Sequence, residues 1–180
     1  KSNEFTFKGM SATPQISYMQ VEGIGGYVLT ILENGDINAN LYKDSLSKSE
    51  VYGTKSNDDF VKYKSETKSL VEIMNSISYE AQDAIMNGDV EIAMKLEKDY
   101  SKVEQEVLLY EWGFITENLD SYMSALLLEV FMVENKVNKD SIIDVYESLS
   151  NRIKVSDVGK NIADLLSQYS DPIEVGETAP

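Results

Sequence analysis

The sequence predicts a helix-rich α+β fold: a small antiparallel β-sheet or partial sandwich, then a long antiparallel helical hairpin and three shorter packed helices. Three observations predict it. Residues 1–56 form short alternating or β-branched runs punctuated by glycine, which is typical of strands and turns. Residues 57–170 instead repeat apolar side chains every three or four positions, which is the period of amphipathic helices. The 180 residues, 42% of them hydrophobic, suffice for one ordinary globular core.

The strands of the N-terminal part are predicted from its short apolar runs. Asn34-Gly35 suits a tight hairpin turn between two of them, because both residues can take a positive φ. After this turn, polar residues alternate with apolar ones, which gives one wet face and one buried face. The predicted strands are Glu4–Phe7, Ile16–Val21, Tyr27–Leu32, Asp36–Leu41 and Glu50–Gly53.

The helical hairpin is the clearest structural pattern in the sequence. Ser56 or Asn57 is expected to cap the first helix, and Asn87-Gly88-Asp89 to end it and cap the second. Two apolar seams joined by this short turn predict antiparallel arms, each on the order of 40 Å long. The seam of the first helix is Phe60, Tyr63, Thr67, Leu70, Met74, Ile77, Ala81 and Ala84, and that of the second is Ala93, Leu96, Tyr100, Val103, Val107, Tyr110 and Phe114.

Three shorter helices are predicted after the hairpin. Ser121–Val133 is apolar on nearly every side, so it is expected to lie in the middle of the helical layer. Asn138 is expected to cap Asp140–Leu149, and Ser156 to cap a last helix that ends before Asp171-Pro172. The inward residues of these two helices are predicted to be Ile142, Val145, Tyr146, Leu149, Val158, Ile162, Leu165 and Leu166.

Composition excludes several classes of function. The chain has no cysteine and no histidine, which removes disulfides, thiolate metal sites, and thiol or imidazole catalysis. Its net charge is −15, and residues 57–180 carry −14 of it (25 acids and 11 bases), so we expect repulsion of nucleic acid and anionic lipid. No run approaches the roughly 20 apolar residues of a membrane-spanning helix, and no signal peptide is expected at the start. A solvated surface accounts for the acidity; a cationic partner or a loosely held divalent ion is the alternative.

The remaining candidates for chemistry are carboxylates and aromatic residues. Glu97, Glu104 and Glu111 are spaced seven apart, which predicts a solvated stripe rather than two acids opposed across a sugar cleft. The oxygen-bearing segment Glu33–Asn40 lacks the spacing of an EF-hand and is interpreted as a hairpin with a polar face. Trp112 is expected to pack in the core. We therefore predict no catalytic, cofactor-binding or metal-ligating residue, and no cofactor.

Short motifs along the chain resemble thioredoxin-like proteins of the TlpA and AhpC/TSA type. Ile173–Pro180 is similar to the Val-Gly-x-x-Ala-Pro entry segment that precedes the first thioredoxin strand in those proteins. Phe114–Ser121 and Ser156–Lys160 resemble their F-I-x-x-N-x-x-S and S-x-x-G-K motifs. The stretches that resemble the sheet domain of unknown function opening many of these proteins are Phe5–Gly9, Leu32–Asp36 and Gly53–Asn57.

This resemblance implies the N-terminal region of an envelope thiol-disulfide oxidoreductase of Gram-negative type, usually exported to the periplasm and often lipid-anchored. The catalytic Cys-x-x-Cys would lie beyond Pro180, so this chain would be a non-catalytic accessory domain in cell redox homeostasis. It would position substrates or dimerise, and its partners would be its own C-terminal thioredoxin-like domain, a protein substrate or a second copy.

The chain would then divide into three parts. Residues 1–56 would be a β-rich part truncated at its start, with an unpaired sheet edge as a consequence. Residues 57–170 would be a helical part packed on it, and residues 171–180 a linker into the thioredoxin-like domain. Two alternatives stay open: a free-standing binding or dimerisation module that acts through the heptad faces carrying Tyr63, Tyr100 and Tyr110, and a carboxylate hydrolase.

Overall fold

Six helices and two small antiparallel sheets make up residues 4–170, which are the part of the chain that the computed structural model describes. The short strands come first and the helices follow, so the predicted α+β class is confirmed. The strands are β1 (Gln15–Met19), β2 (Val28–Leu32), β3 (Asn38–Asn40) and β4 (Glu50–Tyr52). The helices are α1 (Lys55–Asn87), α2 (Val90–Glu117), α3 (Tyr122–Val133), α4 (Lys139–Ser148), α5 (Asn151–Lys154) and α6 (Asp157–Ser170), and a 3₁₀ turn at Leu46–Lys48 precedes β4.

The strands form two separate two-stranded sheets. β1 pairs with β2, with Ile16 opposite Ile31, and β3 pairs with β4. The predicted hairpin turn at Asn34-Gly35 is therefore wrong, because the strands on its two sides pair with other strands. The Asn34 side chain instead binds the loop before β1: its Nδ2 donates to the Ser11 carbonyl at 2.7 Å, and its Oδ1 accepts from the Ser11 amide at 3.0 Å.

The predicted strand at Glu4–Phe7 is also wrong, because these residues have no strand partner within residues 4–170. Phe5 is 60% exposed and Phe7 86% exposed. Alternation of polar and apolar residues predicts which face each side chain would take. A strand also needs a neighbouring strand whose backbone amides and carbonyls form hydrogen bonds with its own. β1 has β2 as its single strand neighbour in the described part of the chain, so an unpaired sheet edge is present there.

α1 and α2 form the predicted antiparallel hairpin. With 33 and 28 residues, the two helices are about 50 and 42 Å long. Gly88 ends α1 in the left-handed conformation with φ 79°, which a residue without a Cβ adopts at little cost. All the predicted seam residues are buried or half-buried, so the periodicity identified the facing sides of both helices correctly.

α1 begins at Lys55 with Thr54 at the N-cap position, so the prediction that Ser56 or Asn57 caps it is wrong. Asn57 binds β2 instead: its Oδ1 accepts from the Ile31 amide at 2.9 Å, and its Nδ2 donates to the Ile31 carbonyl at 2.7 Å. A side-chain amide offers the same donor and acceptor as a peptide group. Asn57 therefore takes the place of a neighbouring strand at the edge of β2 and docks α1 there.

α3 lies at the centre of the helical layer, as predicted. It contacts α1, α2, α4 and α6, and side chains on nearly all its faces are buried. The rings of Trp112 and Phe131 stack with centroids 5.6 Å apart, which places Trp112 against this core as expected. A smaller core lies under the β-rich part, around Val28, Leu46 and Val51.

The caps predicted for the last two helices are confirmed. The Asn138 side chain accepts from the Ser141 amide at 2.9 Å, and the Ser156 hydroxyl accepts from the Gly159 amide at 3.2 Å. The four-residue helix α5 was not predicted, because so short a run shows no period. The predicted linker at 171–180, with the helix end at its first two residues, lies outside the described residues.

Candidate functional site

The base of the hairpin, where α1 and α2 meet the core, is held by tyrosines and acids. Tyr63 donates its hydroxyl to Glu111 Oε1 at 2.6 Å, and Tyr110 donates to Glu66. Burial, reinforced by these carboxylate acceptors, raises the pKa of Tyr63 and of Tyr110. The Tyr63 ring also packs on Tyr110 and Phe114, with centroids 6.2 and 5.9 Å away. These contacts lock the two helices together at the base.

Glu111 corrects the predicted solvated stripe. Glu97 and Glu104 are exposed as expected, but Glu111 is only 8% exposed. All three lie on one helix at the same heptad spacing, but the base of α2 is covered by the core and its far end is not. The hydrogen bond from Tyr63 partly replaces the water that the Glu111 carboxylate loses on burial. Glu111 is therefore explained by packing.

A second polar cluster joins the β-rich part to the later helices. Arg152 Nη1 lies 2.7 Å from Glu33 Oε2, and Arg152 Nε lies 3.3 Å from Asp120 Oδ1. Arg152 Nη2 also donates to the backbone carbonyl of Asp120 at 2.6 Å. Glu33 also accepts from the amide and the hydroxyl of Ser56, at 2.9 and 2.8 Å. Burial alone would raise the pKa of Glu33 and of Asp120, but hydrogen bonds from serines and the guanidinium charge outweigh it, so both pKa values are lowered. One arginine thus holds two charged acids, which makes this cluster a structural clamp.

The oxygen-rich segment Glu33–Asn40 is likewise used by the fold. Glu33 belongs to the clamp and Asn34 binds the loop before β1. Within residues 4–170, no group of three or more acidic side chains is placed to hold a metal ion. No helix in that range is long and apolar enough to cross a bilayer.

The far end of the hairpin contains an open groove between α1 and α2, with a volume of about 790 Å³. We name residues 77–101, which include the turn, the hairpin end. Ala81 and Ala93 lie on the two facing seams, and their small side chains leave space between the helices. Leu96 and Tyr100 complete the apolar floor. The groove is therefore a local opening of the same seam that is tightly filled at the base.

The rims of the groove carry large apolar side chains that face water. Ile85 is 69% exposed, Val90 67% and Met94 56%. Isolated exposed apolar residues are ordinary, but a contiguous apolar patch in a concave opening is typical of an interaction surface. The groove and its rims are the candidate functional site.

The hairpin end is acidic as well as apolar. Residues 77–101 contain six acids and two lysines, for a net charge of −4. Among the described residues that line the groove, Glu97 is the charged one, at the rim formed by α2. A partner that enters the groove therefore meets an apolar floor and a negative rim.

The sequence contained a signal for this site that periodicity alone did not reveal. Ile85, Val90 and Met94 are apolar residues that lie off the predicted seams, on both sides of the turn. In an amphipathic helix the residues outside the buried apolar stripe are normally polar. Large apolar side chains outside that stripe therefore indicate a second contact surface. The prediction of no catalytic, cofactor-binding or metal-ligating residue is not tested by this surface.

Comparison with known proteins places only the first third of the chain. Residues 1–60 match the family model of a domain of unknown function (DUF4369). This confirms the resemblance of the early stretches to a sheet domain of unknown function, and the match spans all four strands and the docking residue Asn57. No curated protein and no solved structure matches the chain.

Proposed function

We propose that this chain is the non-catalytic accessory domain of a thioredoxin-like thiol-disulfide oxidoreductase of the cell envelope, and that it contacts a protein through the hairpin end. The groove at the hairpin end is the observation that carries the proposal. Its apolar rims project from the far end of helices about 42 to 50 Å long, while the body of the domain is closed by packing and ion pairs. A long arm with an apolar end suits the positioning of a protein substrate.

In this proposal the redox thiols belong to a catalytic partner domain, because the chain itself holds no cysteine. Two observations support that domain. The segment Ile173–Pro180 resembles the entry into thioredoxin-like domains, and the match of residues 1–60 to DUF4369 is compatible with such a protein.

A free-standing binding module is the second candidate. Tyr63 and Tyr110 pack against each other inside the hairpin, whereas Tyr100 lines the groove. Of these three tyrosines, Tyr100 is therefore the one placed to contact a partner. Whether the chain is an accessory domain or a free-standing module, its partner would bind at the groove and not along the whole seam.

The test uses the full-length product of the gene that encodes this chain. We expect a Cys-x-x-Cys within about one hundred residues after Pro180, the usual size of one domain. The full-length protein should reduce both a small disulfide such as dithiobis(nitrobenzoate) and the disulfides of a scrambled protein substrate. The double variant Ile85→Gln/Met94→Gln should lower only the rate on the protein substrate.

The matched control is Met86→Gln/Ile92→Gln, which changes equally exposed apolar residues of the hairpin end outside the groove. It should leave both rates unchanged. Absence of a Cys-x-x-Cys in that interval would refute the oxidoreductase. Equal loss of both rates in the groove variant would refute substrate positioning.

A further inference from the structure

We infer that the groove at the hairpin end takes a cationic amphipathic segment of another protein, docked as a helix, rather than a second copy of this chain. This inference deepens the proposed function by naming the partner's chemistry and rests on the hairpin end being its contact surface. Three properties of the groove lead to it: its length, its adaptable apolar lining, and its charge.

The length of the groove matches a short helix. Its lining runs from Ile77 on α1 to Gly88 directly after that helix, which corresponds to about 17 Å along the helix axis. Anchors at positions i, i+4 and i+7 of a docked helix span about 10 Å, so three apolar side chains fit along it. α1 and α2 run side by side and form the two walls of the groove, which is the shape used in helix-in-groove recognition.

The lining suits apolar anchors of varied shape. Met94 is unbranched and flexible, so it can adjust to the side chain that it meets. Ile85 and Val90 supply exposed apolar area on the same groove. Covering this apolar area on binding removes it from water, which stabilises a complex.

Charge decides between a second copy and a foreign segment. Two hairpin ends would bring two regions of net charge −4 together, on chains that each carry −15. At physiological salt, charges within about 8 Å of each other still interact, so a symmetric contact at the groove would be repulsive. Lysine or arginine residues flanking the apolar anchors would instead face Glu97 at the rim of the groove. The same negative charge disfavours an anionic lipid surface.

The probe is a designed helical peptide with leucine at i, i+4 and i+7 and lysines on its remaining face, labelled for fluorescence anisotropy. Its controls are a peptide with glutamate in place of lysine and a scrambled lysine peptide of the same composition. We expect the lysine peptide alone to bind this chain, and more weakly at 300 mM than at 50 mM salt. Binding of the scrambled peptide with equal affinity, or no binding of the designed one, would overturn the inference.

Two matched pairs of variants locate the contact. Ile85→Gln/Met94→Gln should weaken binding at least about tenfold, whereas Met86→Gln/Ile92→Gln should leave it within about twofold. Glu97→Lys should weaken binding about fivefold, whereas Glu91→Lys, which makes the same change in net charge outside the groove, should have little effect. Equal effects of the two members of either pair would place the peptide elsewhere.

Analytical ultracentrifugation of the chain tests whether a second copy of it binds in the groove. We expect a monomer at high concentration in both 50 mM and 300 mM salt. A dimer that Ile85→Gln/Met94→Gln dissociates and Met86→Gln/Ile92→Gln does not would assign the groove to a second copy. These measurements use this chain alone, so their failure is distinct from the absence of a Cys-x-x-Cys in the full-length protein.

Discussion

Asn57 joins α1 to the edge of β2, and its replacement by alanine tests whether this single amide holds the two parts of the fold together. Asn57 is 1% exposed, and Ile31, whose amide and carbonyl it binds, is 0% exposed. Asn57→Ala leaves both backbone groups of Ile31 buried without a partner. The Asn57 Nδ2 also donates to Thr54 Oγ1 at 2.8 Å, and that contact is lost too.

The magnitude follows from these unpaired groups. Each buried backbone group left without a partner costs about 1–3 kcal/mol, so the two groups of Ile31 cost about 2–6 kcal/mol. Alanine favours the helix over asparagine by up to about 0.7 kcal/mol, and water that enters the vacated space recovers part of the loss. We expect the free energy of unfolding to fall by about 2–4 kcal/mol.

The assay is urea unfolding followed by far-ultraviolet circular dichroism, with amide hydrogen exchange of Ile31 as a local readout. Asn75→Ala is the control, because Asn75 lies on the exposed face of the same helix. It should be neutral or slightly stabilising. The reasoning is refuted if Asn57→Ala lies within about 1 kcal/mol of Asn75→Ala, or if exchange protection at the Ile31 amide survives the substitution.

Two further predictions concern a glycine pair and the clamp. A Cβ on Gly159 would lie 2.2 Å from the Ile153 carbonyl oxygen, so Gly159→Ala should destabilise the protein by about 1–3 kcal/mol. A Cβ on Gly113 would have nothing within 4 Å, so Gly113→Ala should stabilise it by up to about 1 kcal/mol. Urea midpoints that shift in the same direction for both variants would contradict this. The lowered pKa of Glu33 means that its contribution to stability is present above its ordinary pKa near 4.5 and is lost as pH falls through the lowered value. Glu33→Gln should therefore be less stable than the wild type at pH 7, by a margin that shrinks towards pH 3, and a constant margin would argue against the clamp.

Patterns that depend on neighbouring residues in the chain could be predicted from the sequence. The seams of α1 and α2 follow from the helical period, and the caps at Asn138 and Ser156 from side chains that reach backbone amides three residues on. The central place of α3 follows from its apolar residues on nearly every side. In each case the deciding interaction lies within one helix or in the amphipathicity of that helix.

Strand pairing and the use of individual polar residues could not be predicted in this way. Asn34-Gly35 has the composition of a hairpin turn, yet β2 pairs with β1 because the partner of a strand is set by contacts far along the chain. Asn57 has the local chemistry of a cap, but the edge of β2, 26 residues away, binds its amide. Glu111 occupies a heptad position like that of Glu97, and only the core packed on the base of α2 distinguishes them.

The sequence by itself determined the α+β class, the hairpin and its seams, and the absence of thiol and imidazole chemistry, because these depend on composition and on local period. Only the tertiary structure decided where the seam opens. Ala81 and Ala93, whose side chains are small, lie on the two seams at the groove, and the off-seam residues Ile85 and Met94 line it. Whether an apolar residue is core or surface depends on what the fold brings against it, and at the hairpin end the described chain brings nothing against Ile85 or Met94 that removes them from water.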